Sequence, residues 1–129
     1  MENKNKTSYA LEIEDRLIEF TSRVMDMADA LPKSYAGKII GNQIVRSGTS
    51  PALNYGEARS AESRDDFVHK MKVCLKELRE THVCLKIIDK RKWFPEKRLT
   101  PLLEECNELV AMFVASTKTA AGKSQNPPS

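Results

Sequence analysis

The residues best suited to chemistry form two polar groups inside otherwise aliphatic helical patterns. Gln43, Arg46, Ser47, Ser50, Asn54 and Glu57 recur at steps of mostly three and four, so they lie along one side of a helix. Glu77, Glu80, Thr81 and His82 cluster at the middle of a later helical stretch. A helix with polar groups where its neighbours have Ile and Leu must pair them internally or at an interface. Two readings stand. The group is a buried network that sets register or assembly, or it is a ligand or catalytic site.

Catalysis needs a nucleophile with its base, a metal constellation or a phosphate-binding loop. The sequence has no G-x-x-x-x-G-K, no H-E-x-x-H and no G-x-S-x-G. A di-iron bundle needs Glu-x-x-His twice, yet Asp66 precedes His69 and Arg79 precedes His82 at that spacing. The expectation is therefore a protein that is not an enzyme and carries no metal or cofactor.

A second constellation is electrostatic. Lys72, Lys76, Arg79, Lys86 and Lys90 share a heptad register offset from the apolar stripe of their helix. A row of cations on an outer face can track phosphates, with a grip that weakens steeply with salt. The same row is also what an ordinary solvated helix face looks like, with Glu80 and Asp89 nearby. Arg46 and Arg59 are further candidates for phosphate contact. Gln43, Arg46, Ser50, Asn54, Glu57, Glu77, Glu80 and Thr81 are assigned to structure or assembly.

The elements that must hold these side chains are helical. Ile13, Leu17, Phe20, Val24, Met27 and Leu31 alternate in steps of four and three, one face of a helix that Pro32 ends. Ser34 is placed to cap a second helix, which carries Ile39, Ile40 and Ile44 before Ser47-Gly-Thr-Ser-Pro51. Pro51 removes a backbone donor, so a kink is expected near it. Ser60 or Ser63 caps a third helix over about Arg64 to Arg91, with Phe67, Met71, Cys74, Leu78, Thr81, Leu85 and Ile88 inward. Trp93-Phe94-Pro95 makes a corner, and Thr100-Pro101 reads as the start of a fourth helix. Short connections between long helices favour antiparallel neighbours. The expected fold is all-α, an antiparallel up-down-up-down four-helix bundle over residues 9–119. Residues 1–8 read as a flexible start and 120–129 as a disordered tail.

The 129 residues suit one domain, and 30% charge with 6% aromatics suits helices. The net charge of +3 hides an uneven distribution. Residues 2–30 hold 4 basic and 7 acidic side chains, whereas 33–59 hold 4 and 1, and 62–92 hold 9 and 6. Three cysteines, Cys74, Cys84 and Cys106, form no C-x-x-C pair and fall in apolar registers. With a polar start lacking an apolar core, they imply buried thiols in a cytoplasmic protein with no membrane partner.

The run Gln43-Ile-Val-Arg-Ser-Gly-Thr-Ser-Pro-Ala-Leu-Asn-Tyr-Gly-Glu57 resembles the Q-I-x-R-S-x-x-S-x-x-x-N-x-x-E signature of a bacterial family. That family comprises the four-helix-bundle proteins of 23S ribosomal RNA intervening sequences. Asp66-Phe67 and Lys76-Glu-Leu-Arg-Glu-Thr81 before Cys84-Leu85 resemble its second block, and Leu31-Pro32 and Glu108-Leu109 fall where the family has them. The resemblance spans about residues 10 to 118. Many members place a proline one position later than Pro51, and a bulky aromatic where this chain has Cys84. The resemblance implies a homopentamer with a central channel. The chain is also similar to accessory variability proteins of diversity-generating retroelements, which bind nucleic acid through a basic surface beside a reverse transcriptase. The partners so implied are a second copy of the chain, RNA or DNA, and a reverse transcriptase or other nucleic-acid enzyme. An oligomeric scaffold with no nucleic-acid contact is the alternative, favoured if Trp93 and Phe94 form an exposed patch.

Overall fold

The alternating four-three spacing of Ile13 through Leu31 becomes one buried face of the first helix, with each of its six residues no more than 6% exposed. In a computed structural model describing residues 2–125, with side chains over 8–122, four helices follow one another: α1 (Glu2–Asp29), α2 (Tyr35–Arg59), α3 (Arg64–Arg91) and α4 (Glu96–Gln125). No strand occurs among the described residues. Each helix packs on the next in the chain, and α1 closes the ring on α4 through the thinnest contact. The diagonal helices are further apart and meet through core side chains, as where Tyr55 of α2 packs edge-on against Phe113 of α4 with ring centres 5.7 Å apart. The result is the up-down-up-down four-helix bundle, with the core at the centre of the square.

The helices start and stop for local reasons. Ser34 accepts from the Gly37 amide at 3.1 Å and caps α2. Of the two serines proposed to cap α3, Ser63 does so, accepting from the Asp66 amide at 3.1 Å. Ser60 instead ends α2, where its amide donates to the carbonyls of Glu57 and Ala58. The third helix takes the expected bounds, Arg64 to Arg91. It ends at Lys92, whose φ of 55° places a non-glycine residue in the left-handed region.

The start of α4 corrects the expectation at Thr100-Pro101. The helix begins at Glu96, because the Pro95 carbonyl accepts from the amides of Arg98 and Leu99 at 3.0 and 3.4 Å. Leu99, 1% exposed, is drawn into the core and carries this turn with it. Pro101 lies within the first two turns on an exposed position, where water can satisfy the carbonyl that its missing amide leaves free.

At the ends, α1 takes in residues 2–8, and α4 continues through the expected tail as far as Gln125. Residues 126–129 lie outside the described residues. The expected flexibility of 1–8 concerns a segment whose side chains, for residues 1–7, also lie outside them.

The second helix has the least regular apolar face. Its buried residues are Gly37, Ile44, Ser47, Gly48, Pro51, Tyr55 and Ala58. It stays one continuous helix across Pro51. Pro51 leaves the Ser47 carbonyl without its helical amide, and side-chain donors gather on the neighbouring carbonyls. Thr21 Oγ1 donates to Gly48 at 2.9 Å, Asn54 Nδ2 to Ser50 at 3.0 Å, and Cys74 Sγ to Pro51 at 3.5 Å. Backbone approach is close because Gly48 lacks a side chain. A Cβ built there would sit 2.9 Å from Val24 Cγ1.

The three cysteines are buried and free. Burial pushes the Cys74 and Cys106 thiols up to about 12, so neither is a ready nucleophile at neutral pH.

Candidate nucleic-acid interface

The long, straight run of α3 sets out the basic row. Lys72, Lys76, Arg79, Lys86 and Lys90 are all exposed, opposite the buried stripe of Met71, Cys74, Leu78, Leu85 and Ile88. From Lys72 to Lys90 the row spans about 27 Å at 1.5 Å per residue. Among the described residues, none of the five joins an ion pair within 4 Å. Val83, 52% exposed, occupies the one place in the row without a charge.

The remaining candidate cations behave differently. Arg46 reaches across from α2 to α3 and divides its guanidinium between Glu77 Oε2 at 2.9 Å and Glu80 Oε2 at 2.8 Å. Arg59 pairs with Glu14 at 3.1 Å, and Lys70 with Glu57 at 2.7 Å. These charges are met by carboxylates of the same chain, so they bind helices together and leave less for an external phosphate.

The structure brings together most of the polar group read from the sequence. Thr81 and Ser47 are both fully buried, with their hydroxyl oxygens 2.9 Å apart, and Thr81 also lies 2.9 Å from the Glu77 carbonyl. Thr81 has one proton, so it donates to one of these partners and takes the Ser47 proton if it donates to the carbonyl. Glu77 is 7% exposed and held by Arg46. Asn54 folds back on its own helix, donating to Ser50 Oγ at 2.8 Å as well as to the Ser50 carbonyl. Gln43 stays exposed at the edge of the seam. The arrangement is a register lock between α2 and α3. Glu57 is turned to Lys70 and Glu77 to Arg46. Among the described residues no group of three or more His, Cys, Asp or Glu could hold a metal ion.

The Arg46 guanidinium, chiefly by its hydrogen bond, holds the Glu80 carboxyl below the usual glutamate range. Burial, with a smaller push from Lys86, lowers the His82 imidazole. Both shifts have the same sign for stability. A group whose folded pKa is depressed contributes stability above its unfolded value and loses it as pH falls. Urea midpoints are therefore expected to be flat from pH 8 to 7. They should decline once pH drops below about 6.5, where unfolded His82 takes a proton, and again below about 4.5 as Glu80 titrates. His82→Gln should remove the first decline and Arg46→Ala should shrink the second. A profile identical in both variants would contradict this assignment.

Sequence reasoning missed two features. Arg16 clamps α4 to α1 through both Glu105 oxygens, at 2.7 and 3.1 Å, on the side where the bundle closes most thinly. The pairing joins positions 89 residues apart, and nothing local announces it. The second is a line of exposed apolar side chains on α1, Leu11, Ile18 and Met25, at 44, 54 and 43%. Their seven-residue spacing was there to be seen, but the stronger core stripe beside it masked it. Conversely, Trp93 and Phe94 do not make an exposed patch. Both are half-buried against the core, with Arg91 5.4 Å from the Trp93 ring centre and Arg98 4.7 Å from that of Phe94.

Comparison with known proteins places this geometry. A family described as 23S rRNA-intervening sequence protein matches residues 10–115, which takes in α2 and α3 whole and most of α1 and α4. The chain belongs to this family. A crystal structure of an S23 ribosomal protein family member from Bacteroides thetaiotaomicron, of unknown function, is similar to it, with 27% identity and a TM-score of 0.77. That similarity covers 82% of this chain and 98% of the other. No curated protein matches the chain. Within the 23S rRNA-intervening sequence family the signature residues acquire a structural meaning here. Arg46 and Ser47 bond across the α2–α3 seam, while Ser50 and Asn54 bond to each other within α2 beside Pro51. No helix among the described residues is long and apolar enough to cross a membrane.

Proposed function

We propose that this 23S rRNA-intervening sequence family member is a non-enzymatic, cytoplasmic homo-oligomer, a pentamer, that binds nucleic acid or a ribonucleoprotein partner through the outer face of α3. The observation that carries the reading is the free basic row. Five exposed cations stand at heptad spacing on one helix, while Arg46, Arg59 and Lys70 are each held by a carboxylate. Charges left unmatched along a rigid rod suit a phosphate backbone, which repeats its charge along its length. An RNA is the partner in keeping with the family. The reading extends to an enzyme that works on nucleic acid, such as a reverse transcriptase, as a co-partner.

The test is a salt titration of binding to a labelled RNA hairpin. If all five cations meet phosphates, log affinity should fall with log salt at a slope of about −4. Lys86→Glu with Lys90→Glu should weaken binding roughly tenfold at low salt and flatten the slope by about 1.5. A slope near zero, or parental binding by the double variant, would leave the oligomeric protein scaffold as the better reading.

A further inference from the structure

The exposed apolar line on α1 has an acidic flank, and an apolar groove elsewhere on the same molecule is bordered by cations of α3. Leu11, Ile18 and Met25 repeat every seven residues. On their flank, Asp15, Glu19 and Asp26 are exposed and, among the described residues, unpaired. Elsewhere on the same molecule, α2 and α3 border a groove of about 590 Å³. Its apolar lining comes from Ile40, Val83, Cys84 and Ile87, and its polar lining from Gln43, Lys76, Arg79 and Glu80, the last already paired with Arg46. Lys76, Val83 and Lys90 also repeat every seven residues. Val83 and Ile87 remain 52 and 40% exposed, so the groove is unfilled within one chain.

We infer that the outer face of α1 docks into the α2–α3 groove of a second copy of the chain. An exposed apolar helix line can lie lengthwise along an apolar groove between two helices, and flanking charges select the partner and its direction. Here the flank of α1 is acidic and the rim of the groove is basic, so each surface repels itself and attracts the other. The contact is therefore heterologous, one surface of each copy meeting a different surface of the next. Such contacts propagate and close into a ring when the rotation permits. The inference rests on the homo-oligomer proposed above and assigns its contact faces. It also divides the basic row. Lys76 and Arg79 face the acids of the neighbouring copy, while Lys86 and Lys90 stay open to phosphate.

Native mass spectrometry of the full chain tests it, with Ile18→Glu breaking the donor face and Val83→Glu the acceptor. Both positions are more than half exposed, so helical content by circular dichroism should match the parent. Each variant alone should be monomeric under conditions where the parent assembles. Their mixture should form a 1:1 heterodimer and stop there, because only one intact pair of faces remains. If either variant assembles like the parent, or the mixture stays monomeric, the docking faces are wrong although the oligomer stands. If the parent is itself monomeric at micromolar concentration, the oligomer reading falls and this inference with it.

Discussion

Replacing Gly37 with alanine is expected to lower the stability of the bundle by about 3 kcal/mol, an overpacking cost at the upper end of the usual range. On helix propensity alone the change should help, since alanine is favoured over glycine in a helix interior by about 1 kcal/mol. Packing reverses the sign. A Cβ on Gly37 would clash with the Pro32 carbonyl oxygen, and no side-chain motion relieves a clash with backbone. The connection between α1 and α2 would have to move. With it would move Leu31, 6% exposed at the end of the α1 core stripe, and the Ser34 cap that accepts from the Gly37 amide. Urea denaturation should show a lower midpoint with an unchanged slope, and thermal melting a drop on the order of 10 °C. Gly56→Ala is the control on the same helix. A Cβ there meets nothing within 4 Å, so that variant should be neutral or slightly more stable than the parent. If Gly37→Ala behaved like Gly56→Ala, close approach would not be the reason for a glycine at 37.

The contrast between these two glycines shows where the sequence is readable and where it is not. Periodicity located the inward face of α1 and, from Met71 on, the apolar stripe of α3, because a four-three repeat has only one way to face a core. At the start of α3, Val68 is buried and Phe67 only partly so. Capping chemistry located Ser34 and narrowed the α3 cap to Ser60 or Ser63, because a serine oxygen before a helical run satisfies a donor only there. Gly37 and Gly56 look alike in sequence, and only the path of Pro32 in space separates them. The start of α4 failed for a related reason. Thr100-Pro101 carries strong local signals, but burial of Leu99 outweighs them and extends the helix back to Glu96.

The candidate site divides the same way. The basic row followed from register alone, since five residues of one helix need no knowledge of a partner. Which cations were free did not follow. Arg46 and Lys76 are equally basic in sequence, and only the placement of Glu77 and Glu80 across the α2–α3 contact draws Arg46 inward. The groups forming the seam were recognisable as out of place in a helix of aliphatic neighbours. Their pairing was visible only as a set of candidates on two stretches, because the rotation of one helix against another is a tertiary property.

The seam itself supplies the second large effect. Thr81→Val keeps the shape of the side chain and removes its hydroxyl, so Ser47 loses a partner at a position with no access to water. Leaving a buried polar group without its hydrogen bond costs about 1–3 kcal/mol, and about 2 kcal/mol is expected here. Ser47→Ala alone should cost less, because Thr81 keeps the Glu77 carbonyl as an acceptor 2.9 Å away. The double variant decides between a hydrogen bond and simple packing. If the two hydroxyls serve each other, removing both leaves an apolar contact with nothing unsatisfied on the Ser47 side. Its loss should then fall short of the sum of the singles by roughly 1 kcal/mol. Additive losses would mean that the hydroxyls act independently and that α2–α3 register is held by Arg46 with Glu77 and Glu80. Register matters for function on either proposal, because a rotation of α3 against α2 would turn the basic row and reshape the groove lined by Ile40, Val83 and Ile87. A Thr81→Val chain that still folds should therefore bind the RNA hairpin and a second copy less well, although it lacks none of the side chains that make either contact.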